Sequence, residues 1–146
     1  MMHPLAFRKA GISDWESIAA LLQSAALPLD GAREHLDGFV LAVRGESLVG
    51  CAGLERRPRT GLLRSVAVEE SERGSGLGQA LVGRVLDQAR GMGMRQVVLL
   101  TETARDYFPK FGFRESTRAQ APVEALESLE FKTACGESAV VMILDL

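Results

Sequence analysis

Apolar and polar positions alternate weakly along Leu5–Ala10 (LAFRKA), which predicts a first strand. From Ser13 to Leu27, Trp15, Ile18, Ala19, Leu22 and Ala25 recur at helical spacing, so an amphipathic helix with one buried face is expected. Ser13 followed by Glu16 has the form of a capping box, and Pro28 and Gly31 close the helix. The segment REHLDG has room for a short helical turn. Phe39–Arg56 then holds two apolar runs joined around Arg44-Gly45-Glu46-Ser47, the pattern of a hairpin. Arg57–Gly61 reads as a polar loop and Leu62–Val68 (LLRSVAV) as the next strand.

A second helix is expected from Leu77 to Met92, with Leu77, Ala80, Leu81, Val85, Leu86 and Ala89 on one face and Gly91 and Gly93 ending it. RQVVLLT, ending at Thr101, is almost continuously apolar and suits a strand covered on both faces. ETARDYFPKFGF predicts a short helix stopped by Gly112, with Pro109 forcing a kink or an early end. Beyond Arg114 the pattern gives a strand start, a helix at PVEALESL, and a closing strand in ESAVVMILDL. Strands and helices in this order make a single α/β (α+β) domain over residues 1–146, a mixed sheet with helices on its faces.

A chain of 146 residues, 47% hydrophobic and 25% charged, has the profile of a soluble globular domain with a core of its own. Its net charge of −2 gives no electrostatic reason to expect nucleic acid or an anionic membrane as partner. The N-terminal stretch has no signal-peptide pattern, and the longest apolar run, Ala139–Leu144, is too short to span a bilayer. A cytoplasmic location is therefore expected. Cys51 and Cys135 lack metal-ligand spacing; Cys51 sits in a strand pattern and reads as buried filler, while Cys135 falls in a probable loop. His3, in a mobile N-terminal segment, and His35 have no paired ligand nearby, so no metal is expected.

Between the strand ending at Val68 and the second helix lies Arg73-Gly74-Ser75-Gly76-Leu77-Gly78. Glycines before a helix start clear β-carbons away from unpaired N–H groups at the positive end of the helix dipole, which suits a phosphate. A plain strand-to-helix turn is the competing reading. A Walker loop would end in Gly-Lys-Ser/Thr, whereas Gly78 is followed by Gln79-Ala80. A dinucleotide fingerprint would need a different glycine spacing and would normally follow the first strand of the fold.

The spacing R-x-x-G-x-G, met by Arg73, Gly76 and Gly78, resembles the GCN5-related N-acetyltransferase superfamily, and Ala104, Phe108 and Gly112-Phe113 resemble that family's next strand and helix. The likeness runs over roughly Phe7–Leu146. It implies a mostly antiparallel sheet with a V-shaped splay between two parallel strands, and acetyl-coenzyme A as co-substrate. Arg73, Gly74, Ser75, Gly76, Leu77, Gly78 and Gln79 would hold the diphosphate, and Val66, Ala67 and Val68 would offer backbone groups to the pantetheine arm. Thr101, Thr103, Ala104, Phe108 and Phe111 would line the far wall. The resemblance further implies a small-molecule amine as partner and admits a homodimer, since dimers are common in the family.

Two positions depart from the family pattern. The acid often found four residues before Val68 is Arg64, and the tyrosine often found four residues before the Gly of Gly-Phe is Phe108. Tyr107 is adjacent, but neighbouring helical residues point about 100° apart. Transfer by direct attack, without a tyrosine acid, is therefore expected. Glu55 is the expected base, with Glu102 and a water relay behind it, against the reading of a solvated strand-end charge. Arg64 on an apolar strand needs an anion: either a carboxylate such as Glu55 or an acidic group of the acceptor. His35 would face the acceptor. A narrower likeness, to acetyltransferases associated with arsenic-resistance operons, rests on GLLRSVAV, LLTETARDYFPKFGF and the late AC-GESAVVM segment, and implies an amino-acid-like or organoarsenical acceptor.

Overall fold

In the computed structural model, which describes residues 3–128 and 139–146, the strands are β1 (Leu5–Lys9), β2 (Val40–Arg44), β3 (Ser47–Arg56), β4 (Thr60–Val68), β5 (Gln96–Thr101), β6 (Arg114–Ser116) and β7 (Val140–Asp145). They form one sheet in the order β1-β2-β3-β4-β5-β7-β6. Every neighbouring pair is antiparallel except β4 and β5. That parallel pair holds register only at Thr60↔Gln96, Gly61↔Val97 and Leu62↔Val98, although both strands run on to Val68 and Thr101. Beyond Leu62 the two strands part, and the expected V-shaped splay is present.

A bulge accompanies the splay. Cys51 pairs with Ala67 and Gly53 with Arg64, so Ser65 and Val66 share the place opposite Ala52. Ser65 adopts φ +57°, a region few non-glycine residues enter, and an extra residue of this kind bends its strand.

Helices cover both faces: α1 (Trp15–Ser24), α2 (Leu77–Gly91) and the single turn α3 (Val123–Leu126). On one face α2 lays Leu77, Leu81, Val85 and Leu86 on Leu54, Leu63, Val97, Leu99 and Met142. On the other, Ile18 and Leu22 of α1 pack with Phe39, Leu41 and Cys51, while Ala121 and Ala125 pack with Leu62, Val98 and Ile143. β5 thus sends alternate side chains into two cores, as its apolar run predicts. Each fully buried leucine or phenylalanine here stabilises the fold by about 1.5–3 kcal/mol.

Several expectations need correction. The capping contact forms at Gly11, whose N–H donates to Asp14 Oδ2 at 2.8 Å, and Ser13 is exposed. The carboxylate of Asp14 reaches back where a serine hydroxyl was expected to reach forward. α1 stops at Ser24 because Ala25 and Ala26 leave helical geometry, Ala26 at φ +55°. Ala80 of α2 is exposed and Val82 is buried in its place. The strand β4 begins at Thr60, inside the expected loop. The short helix after β5 shrinks to a 3-10 turn at Phe108–Phe111, with Pro109 at its start and Gly112 at φ +102° at its end. Cys135 and the last residue of the predicted helix at PVEALESL lie outside the described residues. Among the described residues, no helix is long and apolar enough to cross a membrane.

Candidate active site

At the start of α2 the first closed turn is Ala80 N–H to Gly76 C=O, 3.1 Å, which leaves the N–H groups of Leu77, Gly78 and Gln79 without an intrahelical acceptor. No side chain caps this end and its first turn carries no carboxylate. Gly74 and Gly76 hold φ +83° and +84°, and a Cβ on either would meet no protein atom within 4 Å. The turn therefore faces open space with its donors forward, the geometry an anion needs. A cavity of about 360 Å³ lies there, walled by Val66, Val68, Arg73, Gly74, Gly76, Leu77, Gly78 and Gln79.

Within that wall, Arg73 spends its Nε on Val68 C=O at 3.2 Å. The Ser75 hydroxyl donates to Glu72 C=O at 2.5 Å and closes the turn from within. Tyr107 and Lys110 complete the wall. Tyr107 explains Gly78, since a Cβ there would lie 3.2 Å from the phenol oxygen. Burial pushes the Tyr107 phenol up, which keeps it a donor at neutral pH. Lys110 Nζ sits 4.1 Å from the centre of the Tyr107 ring.

Val66 also belongs to a second cavity, of about 220 Å³, between the splayed strands. Its walls come from β4 (Leu63, Arg64, Ser65), β5 (Leu99, Leu100, Thr101), the following segment (Thr103, Ala104, Phe108) and the end of α1 (Ala25, Leu27, Pro28). Thr101 Oγ1 accepts the Ala104 N–H at 2.9 Å and so fixes the turn that presents Phe108. Phe111 lies outside both cavities, with its ring 5.5 Å from that of Tyr107. Ala67 turns its methyl into the α1 core, so only its backbone is left for a cofactor.

From the wall of the second cavity Arg64 joins Glu55 and His35, neither of which lines it, in one cluster; Glu102, the fourth residue singled out for this chemistry, is exposed. Arg64 Nη1 donates to Glu55 Oε1 at 2.5 Å, Arg57 Nη2 to Oε2 at 3.3 Å and Ser128 Oγ to Oε1 at 3.2 Å. His35 Nε2 lies 3.7 Å from Oε2. Arg64 also donates to Ser65 Oγ at 3.0 Å and Pro28 C=O at 3.4 Å. Glu55 is 1% exposed, so the reading of it as a solvated strand-end charge is overturned. Burial holds His35 below the ordinary histidine range; Glu55 pulls it up, and Arg57 and Arg64 push it down.

Sequence reasoning missed Tyr107, Lys110, Arg57, Ser128 and Pro28. Tyr107 and Lys110 lie three residues apart on one turn, a spacing that could have paired them; the others arrive through tertiary contact.

Residues 8–113 match the family model described as acetyltransferase (GNAT) family. An amino-acid acetyltransferase of Serratia proteamaculans is 32% identical over 126 residues, which is 80% of this chain and 29% of that protein. One from Neisseria meningitidis serogroup A is 27% identical over 127 residues, 81% of this chain and 29% of its own. The chain thus spans under a third of the length of these curated relatives. N-acetylglutamate synthase from Neisseria gonorrhoeae, complexed with coenzyme A and N-acetyl-glutamate, matches with a TM-score of 0.82 at 23% identity, over 98% of this chain and 35% of that one. Rv2747 from Mycobacterium tuberculosis, in complex with CoA and NLQ, gives 0.77 at 24% identity over 97% and 99%. At such identities these two structures establish the shared fold.

Proposed function

The chain belongs to the acetyltransferase (GNAT) family, and from that membership we propose that it carries the acetyl group of acetyl-coenzyme A to the primary amine of a small, amino-acid-like acceptor. The observation that carries the reading is one continuous wall. The uncapped start of α2 opens through Val66 into the cleft between β4 and β5, and Arg64 is part of that cleft's wall.

The residues fit coenzyme A. The turn Arg73–Gly78 directs backbone donors at a diphosphate. The edge of β4 beyond Leu62 has no partner strand, so its N–H and C=O groups are open to the amide-bearing pantetheine arm, in the manner of an added strand. A β4 N–H near the bulge would take the thioester oxygen as negative charge builds on it.

The amine attacks the carbonyl carbon, a C–N bond forms, the C–S bond breaks, and the thiolate leaves with its electron pair. With Phe108 at the far wall no phenol serves that sulfur, and a thiol pKa near 8.5 lets it depart unaided. For the proton of the attacking nitrogen, the base passes from Glu55 with Glu102 and a water relay behind it to the His35–Glu55 pair. Three donors already occupy Glu55, whereas the imidazole is neutral at pH 7 and its positive form would be balanced by the carboxylate 3.7 Å away. Arg64 and Arg57 share the single carboxylate of Glu55, so among the described residues the buried cluster carries one net positive charge, which favours an acceptor with an anionic group. The curated amino-acid acetyltransferases support that class. Amino acids with phosphinate or arsenical groups, suggested by the operon-associated likeness, fall within it.

Thiol release from acetyl-coenzyme A, measured against amino acids, their arsenical and phosphinate analogues, polyamines and peptides, tests the proposal. Turnover confined to anionic amino acids and their analogues supports it. Turnover with peptides alone would identify a protein acetyltransferase. Tight coenzyme binding with no release for any amine would identify a binding module, the reading that Arg64 and Phe108 at the usual proton-handling positions favour.

A further inference from the structure

The cavity at the start of α2 has one acidic residue in its lining. Glu72 forms part of its wall and is 8% exposed, and an unopposed negative charge there would repel two phosphates. The charge is met from outside the turn. Arg44, the last residue of β2, grips Glu72 with two parallel hydrogen bonds, Nε to Oε2 at 2.8 Å and Nη2 to Oε1 at 3.1 Å. Such paired guanidinium–carboxylate contacts fix direction as well as charge. The remaining Arg44 Nη1 donates to His3 C=O at 2.9 Å, and a Cβ on Gly45 would lie 2.9 Å from the His3 ring. The N-terminal segment expected to be mobile is thereby held against the β2–β3 hairpin.

Glu72 also ties the turn through its backbone. Its C=O accepts the Ser75 hydroxyl, and its N–H donates to Glu69 C=O at 2.9 Å. One residue thus joins the hairpin, the glycine turn and the pocket wall, while Arg44 itself is not part of that wall.

We propose that Arg44 is a positioning residue for coenzyme A: by pairing with Glu72 it turns the one carboxylate among the lining residues away from the diphosphate and offsets its charge. The proposal rests on reading that turn as the diphosphate site. It assigns a role to a charged pair more than 25 residues apart in sequence that never touches the reacting atoms.

The test is calorimetric titration of coenzyme A into the full chain and its variants. Arg44→Met exposes the Glu72 charge and should raise Kd at least about tenfold. Arg44→Met combined with Glu72→Gln removes that charge and should recover most of the loss; Glu72→Gln alone should bind as tightly as wild type or more tightly. The KM for acetyl-coenzyme A should follow Kd, with a much smaller change in kcat. Wild-type affinity in Arg44→Met, a double variant as weak as the single, or a tenfold loss in Glu72→Gln would each overturn the inference. Should Arg44→Met not fold, the Glu72→Gln titration decides alone. A wild-type chain that fails to bind coenzyme A would instead sink the diphosphate reading beneath it.

Discussion

Arg64 on β4 and Glu55 on β3 sit diagonally across an antiparallel pair, 2.5 Å apart and sealed from solvent, because Arg64 is opposite Gly53 and Glu55 follows two residues on along the same face. Sealing two charges costs desolvation that the pair must offset jointly, so removing one partner strands the other. Arg64→Met should therefore lower unfolding stability by about 3–5 kcal/mol, and adding Glu55→Gln should return a large part of it. Urea unfolding of the wild type, the single variant and the double variant measures this. Equal losses in the single and double variants would show that the ion pair is not what stabilises this seam.

Gly76 has open space around it and φ +84°, so a substitution there costs backbone strain alone in the free protein, about 1–3 kcal/mol. The Cβ would, however, project where a phosphate must approach. Gly76→Val should weaken coenzyme A binding by more than tenfold while unfolding stability falls by no more than that strain. Undiminished affinity in a folded variant would remove the turn from the site.

Much of the fold was legible because burial writes itself into periodicity. The run VVLLT announces a strand between two cores, and Leu81, Val85 and Leu86 announce the α2 face. The glycine turn before α2 was legible because glycine at Gly74 and Gly76 is a backbone requirement. What stayed hidden was made by tertiary contact. Ser65 at φ +57° is not a residue that advertises a bulge, and Arg44 looks like an ordinary hairpin charge until Glu72 is placed beside it. Glu55 admitted the reading of a solvated strand-end charge because Arg56, Arg57, Pro58 and Arg59 follow it; its burial involves Arg64 beside it and Ser128, whose hydroxyl reaches it from late in the chain.

Asp14 gives the fold an acid-sensitive contact. The Arg8 guanidinium, bonded through both Nη atoms at 2.8 Å, and then the Gly11 N–H hold its carboxyl down at about 2. An unfolded chain has this group near 4. A lowered folded value means stability that is full above pH 4 and is lost as pH falls from 4 toward 2. Arg8 is half exposed, so the contribution is under about 1 kcal/mol. Asp14→Asn should melt below wild type at pH 7, and the gap should close by pH 2. An equal gap at both pH values would assign the loss to packing.

The ring of Phe108 lines the cleft where the family pattern often carries a phenol, and it packs edge-on to Phe113 at 5.8 Å. If the thiolate leaves without help, a phenol restored at this position has little to contribute. Its added hydroxyl must also find a partner in a mostly apolar wall formed with Leu63, Leu99 and Ala104, or be left unsatisfied at a cost of about 1–3 kcal/mol. Phe108→Tyr should therefore change kcat by less than about threefold while lowering stability, whereas a true general acid is worth 10²–10⁴-fold. A hundredfold rise in kcat, with a new loss of activity at alkaline pH as the phenol ionises, would show that leaving-group protonation limits the native protein and that direct attack without acid is the wrong mechanism.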